Sequence, residues 1–97
     1  MTKQKMKEVF EKAKRKIEVD GWYHPTMLSG NCNCAFTAMM PLTADLKRVS
    51  EFFIEVNNIP YDPHCFGIPA WNDAPERTKD DVLKAFDKAI EACGVEG

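Results

Sequence analysis

Chemistry concentrates in two stretches of this chain. In GNCNCAF, residues 30 to 36, Cys32 and Cys34 stand one residue apart just ahead of an apolar run, and His64 and Cys65 are neighbours in the proline-rich stretch further on. The sharpest use of these residues is a thiol enzyme. Cys34 at the start of a helix would have its thiolate favoured by the dipole, with His64 as the base and Asn72 or Asp73 orienting the imidazole. Two features argue the other way. Cys34 and His64 are close in sequence with no predicted sheet to hold the histidine, and a cysteine that opens an apolar helix is an ordinary core residue.

A zinc site drawn from Cys32, Cys34, His64 and Cys65 has suitable ligand chemistry, but zinc knuckles usually separate paired cysteines by about two residues. Adjacent His64 and Cys65 would also have difficulty converging on one ion. A disulfide between Cys32 and Cys34 would close a small, strained ring. The default reading puts Cys34 and Cys93 in the core, Cys32 and Cys65 on loops and His64 in a structural hydrogen bond, with no metal and no cofactor.

WNDAPERT, residues 71 to 78, offers binding instead of catalysis. Exposed Trp71, Asn72, Asp73 and Arg77 at a helix N-terminus would suit an anionic group or a partner's backbone. The structural alternative has Trp71 anchoring a loop in the core, Asp73 capping a helix and Asn72 bonding loop backbone. Trp22 completes the set of candidate binding residues.

These residues need a scaffold, and composition bounds it. Ninety-seven residues, 44% hydrophobic and 29% charged, suit a single domain spanning 1–97 with a modest core. No apolar run approaches the roughly 18 residues of a membrane helix, and the charged N-terminus lacks a signal peptide's apolar stretch. The expectation is a cytoplasmic protein with reduced cysteines. A net charge of -2 is too small to argue for a nucleic-acid partner, and none is expected. Residues 1–20 hold seven Lys and Arg against four Asp and Glu, so the first helix is the basic element.

Hydrophobic periodicity predicts an all-α fold: a small four-helix array with a central apolar helix and a long, ordered loop rich in proline and aromatics. Over 2–19, Met6, Val9, Phe10, Ala13 and Ile17 form one apolar stripe that stops at Gly21, with Glu8–Lys12 and Glu11–Arg15 as i,i+4 pairs. CAFTAMM places a second helix at 33–40, apolar except at Thr37 and therefore central. Leu46, Val49, Phe53 and Val56 mark a third over 44–57, with Thr43 as its N-cap.

Residues 58–77 contain four prolines and no helical period. Ile59, Tyr61, Phe66, Ile68 and Trp71 nevertheless carry too much apolar surface for a disordered linker. An ordered loop with an extended stretch near Cys65 to Ile68 is expected. DAPE, 73 to 76, and TKDD, 78 to 81, both read as capping boxes ahead of a last helix over 78–93, which turns Val82, Leu83, Phe86, Ile90 and Cys93 inward.

Three motifs occur in order: Gly21-Trp22, the CxCA segment from Cys32 to Ala35, and AWNDAPERTKDDVLKAFDKAI from Ala70 to Ile90. They resemble an uncharacterised family of small bacterial and phage helical proteins, over roughly residues 20 to 92. The resemblance implies a small, mainly helical domain of unknown function, with Trp71, Asn72, Asp73, Arg77 and Thr78 in its C-terminal motif. The chain departs from that pattern at Thr37, where a small residue is expected, and the pattern has no counterpart of His64. CNCAF also has a superficial resemblance to the cysteine neighbourhood of papain-like proteases. The poor catalytic inventory points to a non-enzymatic accessory module that binds a protein partner. The alternatives are a thiol-dependent Cys-His hydrolase or transferase and a phage inhibitor of a host defence or transcription protein.

Overall fold

The computed structural model describes residues 2–22 and 35–93. α1 (Lys3–Asp20) starts where the Thr2 hydroxyl accepts the Lys5 amide at 3.2 Å. It stops at Gly21, whose φ of 102° turns the chain away while its N–H still reaches the Ile17 carbonyl. The whole expected stripe, Met6, Val9, Phe10, Ala13 and Ile17, is buried. Neither expected i,i+4 pair forms among the described residues. The ion pair of α1 instead crosses to the last helix, Lys14 Nζ to Asp87 Oδ1 at 2.6 Å.

α2 (Ala35–Met39) buries Ala35, Phe36, Ala38 and Met39 and exposes Thr37, then tightens into a 3-10 turn over Met40–Leu42 at Pro41. It packs on α1 and α4, the central place expected of a helix that is apolar almost all round. The predicted start at residue 33 lies outside the described residues. α3 (Leu46–Val56) begins later than expected because Thr43 accepts the Asp45 amide at 3.0 Å in a turn of its own, leaving Asp45 at the N-cap position. Asn57 fastens its far end, Nδ2 donating to Phe53 O at 3.1 Å and to Ala85 O at 3.2 Å.

The expected 58–77 loop holds a helix of its own. α4 (Ile68–Asn72) is too short to display a helical period, and Pro69, which suits a first turn, looks like a helix breaker in the sequence. The expected extended stretch before it is a 3-10 turn, Cys65–Gly67, with φ of 51°, 65° and 91° at Cys65, Phe66 and Gly67. DAPE opens no helix either. Asp73 is the C-cap of α4, its N–H bonded to Pro69 O, and Ala74 to Arg77 form a β-turn closed by Arg77 N–H to Ala74 O at 2.9 Å, with Pro75 in the position prolines favour.

TKDD, in contrast, is a reciprocal capping box: Asp81 Oδ2 accepts the Thr78 amide at 3.0 Å and Thr78 Oγ1 accepts the Asp81 amide at 3.1 Å. It opens α5 (Lys79–Cys93), which lies along α1. Val82, Ala85, Phe86, Ala89 and Cys93 are buried, while Leu83 and Ile90 are half-buried. Ala85 and Ala89 replace them in the interior because small side chains let helices approach closely. Phe10, Phe53 and Phe86 meet at the centre, the closest ring centroids being Phe53 and Phe86 at 4.9 Å. Five α-helices and two 3-10 turns make the fold all-α, with no strand among the described residues.

Candidate functional site

The residues of α4 point in two directions. Asn72 is 0% exposed and Trp22 6%. The Asn72 carboxamide oxygen accepts from Trp22 Nε1 at 2.6 Å and from the Ala35 amide at 3.1 Å, and its Nδ2 donates to Asp73 Oδ1 at 3.1 Å. One amide thus ties together the chain just after α1, the start of α2 and the end of α4. Trp22 and Asn72 lie in the interior, and their shared bond satisfies polar groups that burial would otherwise leave unpaired. Nothing local in the sequence signals this; the one clue is an asparagine at the end of the otherwise apolar IPAWN.

Trp71 faces the other way. One edge of its ring meets Phe53, with centroids 6.0 Å apart at 80°, so the core fixes its orientation. Arg77 covers it, the guanidinium carbon 4.3 Å from the ring centroid and Nε donating to Trp71 O at 3.0 Å. The β-turn of Ala74 to Arg77 brings the arginine back over the tryptophan, and Ala74 N–H also reaches Trp71 O. Arg77 has no carboxylate partner among the described residues.

Beside this pair runs a groove of about 330 Å³ lined by Tyr61, Asp62, Gly67, Ala70, Trp71 and Arg77. Tyr61 is 66% exposed and meets Phe66 edge-on, with ring centroids 6.4 Å apart. The left-handed turn at Cys65–Gly67 shapes the groove floor: Gly67 sits so close to the Pro60 carbonyl that no side chain fits there. Asp62 Oδ1 accepts the His64 amide at 2.8 Å, which holds the intervening turn. A smaller hollow of about 280 Å³ shares Trp71 and Arg77 and continues past Lys84 and Lys88.

Two other hollows, each of about 710 Å³, are larger but chemically quieter. The Lys14–Asp87 pair borders the one between α1 and α5, and the Arg48–Asp45 and Lys47–Glu51 pairs border the one near the start of α3. Both are lined mainly by charged side chains and, among the described residues, offer no aromatic ring held beside an arginine.

The cysteine readings divide differently. Cys32 and Cys34 lie outside the described residues. His64 is exposed at the start of the 3-10 turn, Asp73 is exposed at the end of α4, and Cys65 is a half-buried free thiol. Cys93 is a buried free thiol, and burial raises its pKa against the opposing pull of Lys3 and Lys7. Among the described residues no three His, Cys, Asp or Glu side chains group as a metal site would require.

Residues 1–92 match the model of the family of unknown function designated DUF6197. The chain belongs to that family. No curated protein and no solved structure matches it. Membership in DUF6197 carries no assigned activity, so the chemistry of this DUF6197 chain is that of its own residues, foremost the groove at Tyr61, Trp71 and Arg77. No helix among its described residues is long and apolar enough to cross a membrane.

Proposed function

We propose that this chain is a non-enzymatic protein-binding module, cytoplasmic and of bacterial or phage origin, whose contact surface is the Tyr61–Trp71–Arg77 groove. The observation that carries the reading is the pairing of an exposed tyrosine with a tryptophan whose ring is fixed by the core below and by a stacked arginine beside it. Tyrosine, tryptophan and arginine dominate binding energy at protein interfaces, because they bury large areas with few rotatable bonds. Asp73 is exposed at the end of α4 next to Trp71 in the chain, while the buried bond of Asn72 to Trp22 holds that end of α4 in place. The free thiols of Cys65 and Cys93 fit a reducing compartment.

The test is selection from a library of displayed random peptides on the wild-type chain, followed by comparison with Tyr61→Ser. That variant removes an exposed ring and keeps the core intact. Peptides whose affinity falls by about tenfold or more on Tyr61→Ser support the reading. No enrichment, or enriched peptides that bind both proteins equally, removes it.

A further inference from the structure

Arg77 is held in a way that leaves one part of it unused. Its Nε–H is spent on the Trp71 carbonyl and one face lies on the Trp71 ring, so the side chain is fixed before any ligand arrives. The terminal Nη1 and Nη2 groups have no partner among the described residues. An end-on guanidinium edge of this kind matches the two oxygens of a carboxylate. Resting in a hollow shared with Lys84 and Lys88, it stands next to an apolar groove bounded by Tyr61 and Trp71.

We infer that the groove takes a short segment of a partner protein in which an apolar side chain is followed or preceded closely by an aspartate or glutamate. The apolar side chain lies between Tyr61 and Trp71, and the carboxylate meets the Nη edge of Arg77. The inference rests on the protein-binding reading above and adds the chemistry of the partner.

The surrounding charges favour one carboxylate over a polyanion. Asp62 lines the groove, Asp81 lines the adjoining hollow, and Lys84 is already paired with Asp80 at 3.1 Å. A nucleic-acid strand would bring successive phosphates past these acids, whereas a single carboxylate needs only the one open fork. Preorganisation adds to the case, since little side-chain freedom remains to be lost when the ligand binds.

The test uses the Tyr61-dependent peptides from the displayed library, synthesised with blocked ends. Each is titrated into the wild-type chain, Arg77→Gln and Arg77→Lys, alongside a copy of the peptide with its Asp or Glu changed to Asn or Gln. The expected result is an acid beside an apolar residue in the enriched set, with affinity falling about tenfold or more when either the peptide acid or Arg77 is neutralised. Changing both should then add little to either single loss. Arg77→Lys should recover only part of the affinity, and thermal melts identify any variant that has lost its fold. Enriched peptides without acids, or acid-to-amide copies that bind equally well, overturn the carboxylate inference and leave the protein-binding reading standing. Failure to obtain Tyr61-dependent peptides overturns both. Tighter, Arg77-dependent binding of an oligothymidylate than of any peptide overturns the inference in favour of a nucleic-acid strand.

Discussion

Asn72 and Ser50 are the buried polar residues of the described core, and they should respond to substitution in opposite ways. Asn72 supplies the acceptor for two buried donors, Trp22 Nε1–H and the Ala35 amide. Asn72→Leu keeps the volume and strands both donors, and each unsatisfied buried group costs about 1–3 kcal/mol, so urea unfolding should show a loss of about 2–5 kcal/mol. A loss below about 1 kcal/mol would mean that water reaches the indole N–H once the amide is gone. The Ser50 hydroxyl is buried with no partner, so Ser50→Ala removes an uncompensated polar atom. The same measurement should show a gain of up to about 1 kcal/mol, and a loss of that size would reveal a hydrogen bond that helps hold α3. The Ser50 role was not legible in the sequence, and the structural reading of Asn72 as a residue that bonds backbone did not name its partners. Trp22, Ala35 and Asn72 are far apart in the chain, and an asparagine after tryptophan reads equally well as a surface contact. Tyr61 was readable as a large apolar residue in the loop, but its exposure depends on how residues 59 to 67 turn.

At the scale of elements, local signals succeeded where one interaction set decides the structure. The α1 stripe and the Thr78–Asp81 capping box are complete within a few residues, and both appear as read. DAPE failed because its proline serves a β-turn as readily as a first helical turn, and here the turn that brings Arg77 onto Trp71 prevails. The left-handed passage at Cys65–Gly67 was invisible because Cys65 and Phe66 have no preference for positive φ. Gly67 is the residue that lets the passage close, with φ of 91° and the Pro60 carbonyl occupying the space a Cβ would need. Gly67→Ala should therefore destabilise by about 1–3 kcal/mol in urea unfolding and weaken the Tyr61-dependent peptides, since the residue also lines the groove. Unchanged stability would show that residues 60 to 62 move aside at little cost. If stability falls and peptide affinity does not, Gly67 serves the fold and leaves groove shape to other residues.

The long contact of α1 with α5 joins the molecule, and among the described residues both titratable groups with shifted pKa values sit on that pair of helices. The hydrogen bond to Asp87 raises the Lys14 pKa, with burial opposing it in part. Burial raises the Cys93 thiol, with Lys3 and Lys7 opposing. Both shifts have the same sign for stability. In each case the folded chain keeps a proton that the unfolded chain releases, so stability is complete below the unfolded pKa and declines as pH rises from there through the folded pKa. For the thiol the decline starts near an unfolded value of about 8.5, and for the lysine near about 10.4. Urea unfolding followed with pH should therefore be level between about pH 7 and 8 with respect to these two groups, then slope downward in two stages. Cys93→Ala lowers the level by leaving a small cavity but should abolish the first stage. Asp87→Asn should cost less than about 1 kcal/mol, because both partners are partly exposed, and should flatten the second. A first stage that persists in Cys93→Ala would assign the alkaline loss to groups elsewhere in the chain. Abolition of that stage would assign the first alkaline loss of stability to the buried Cys93 thiol.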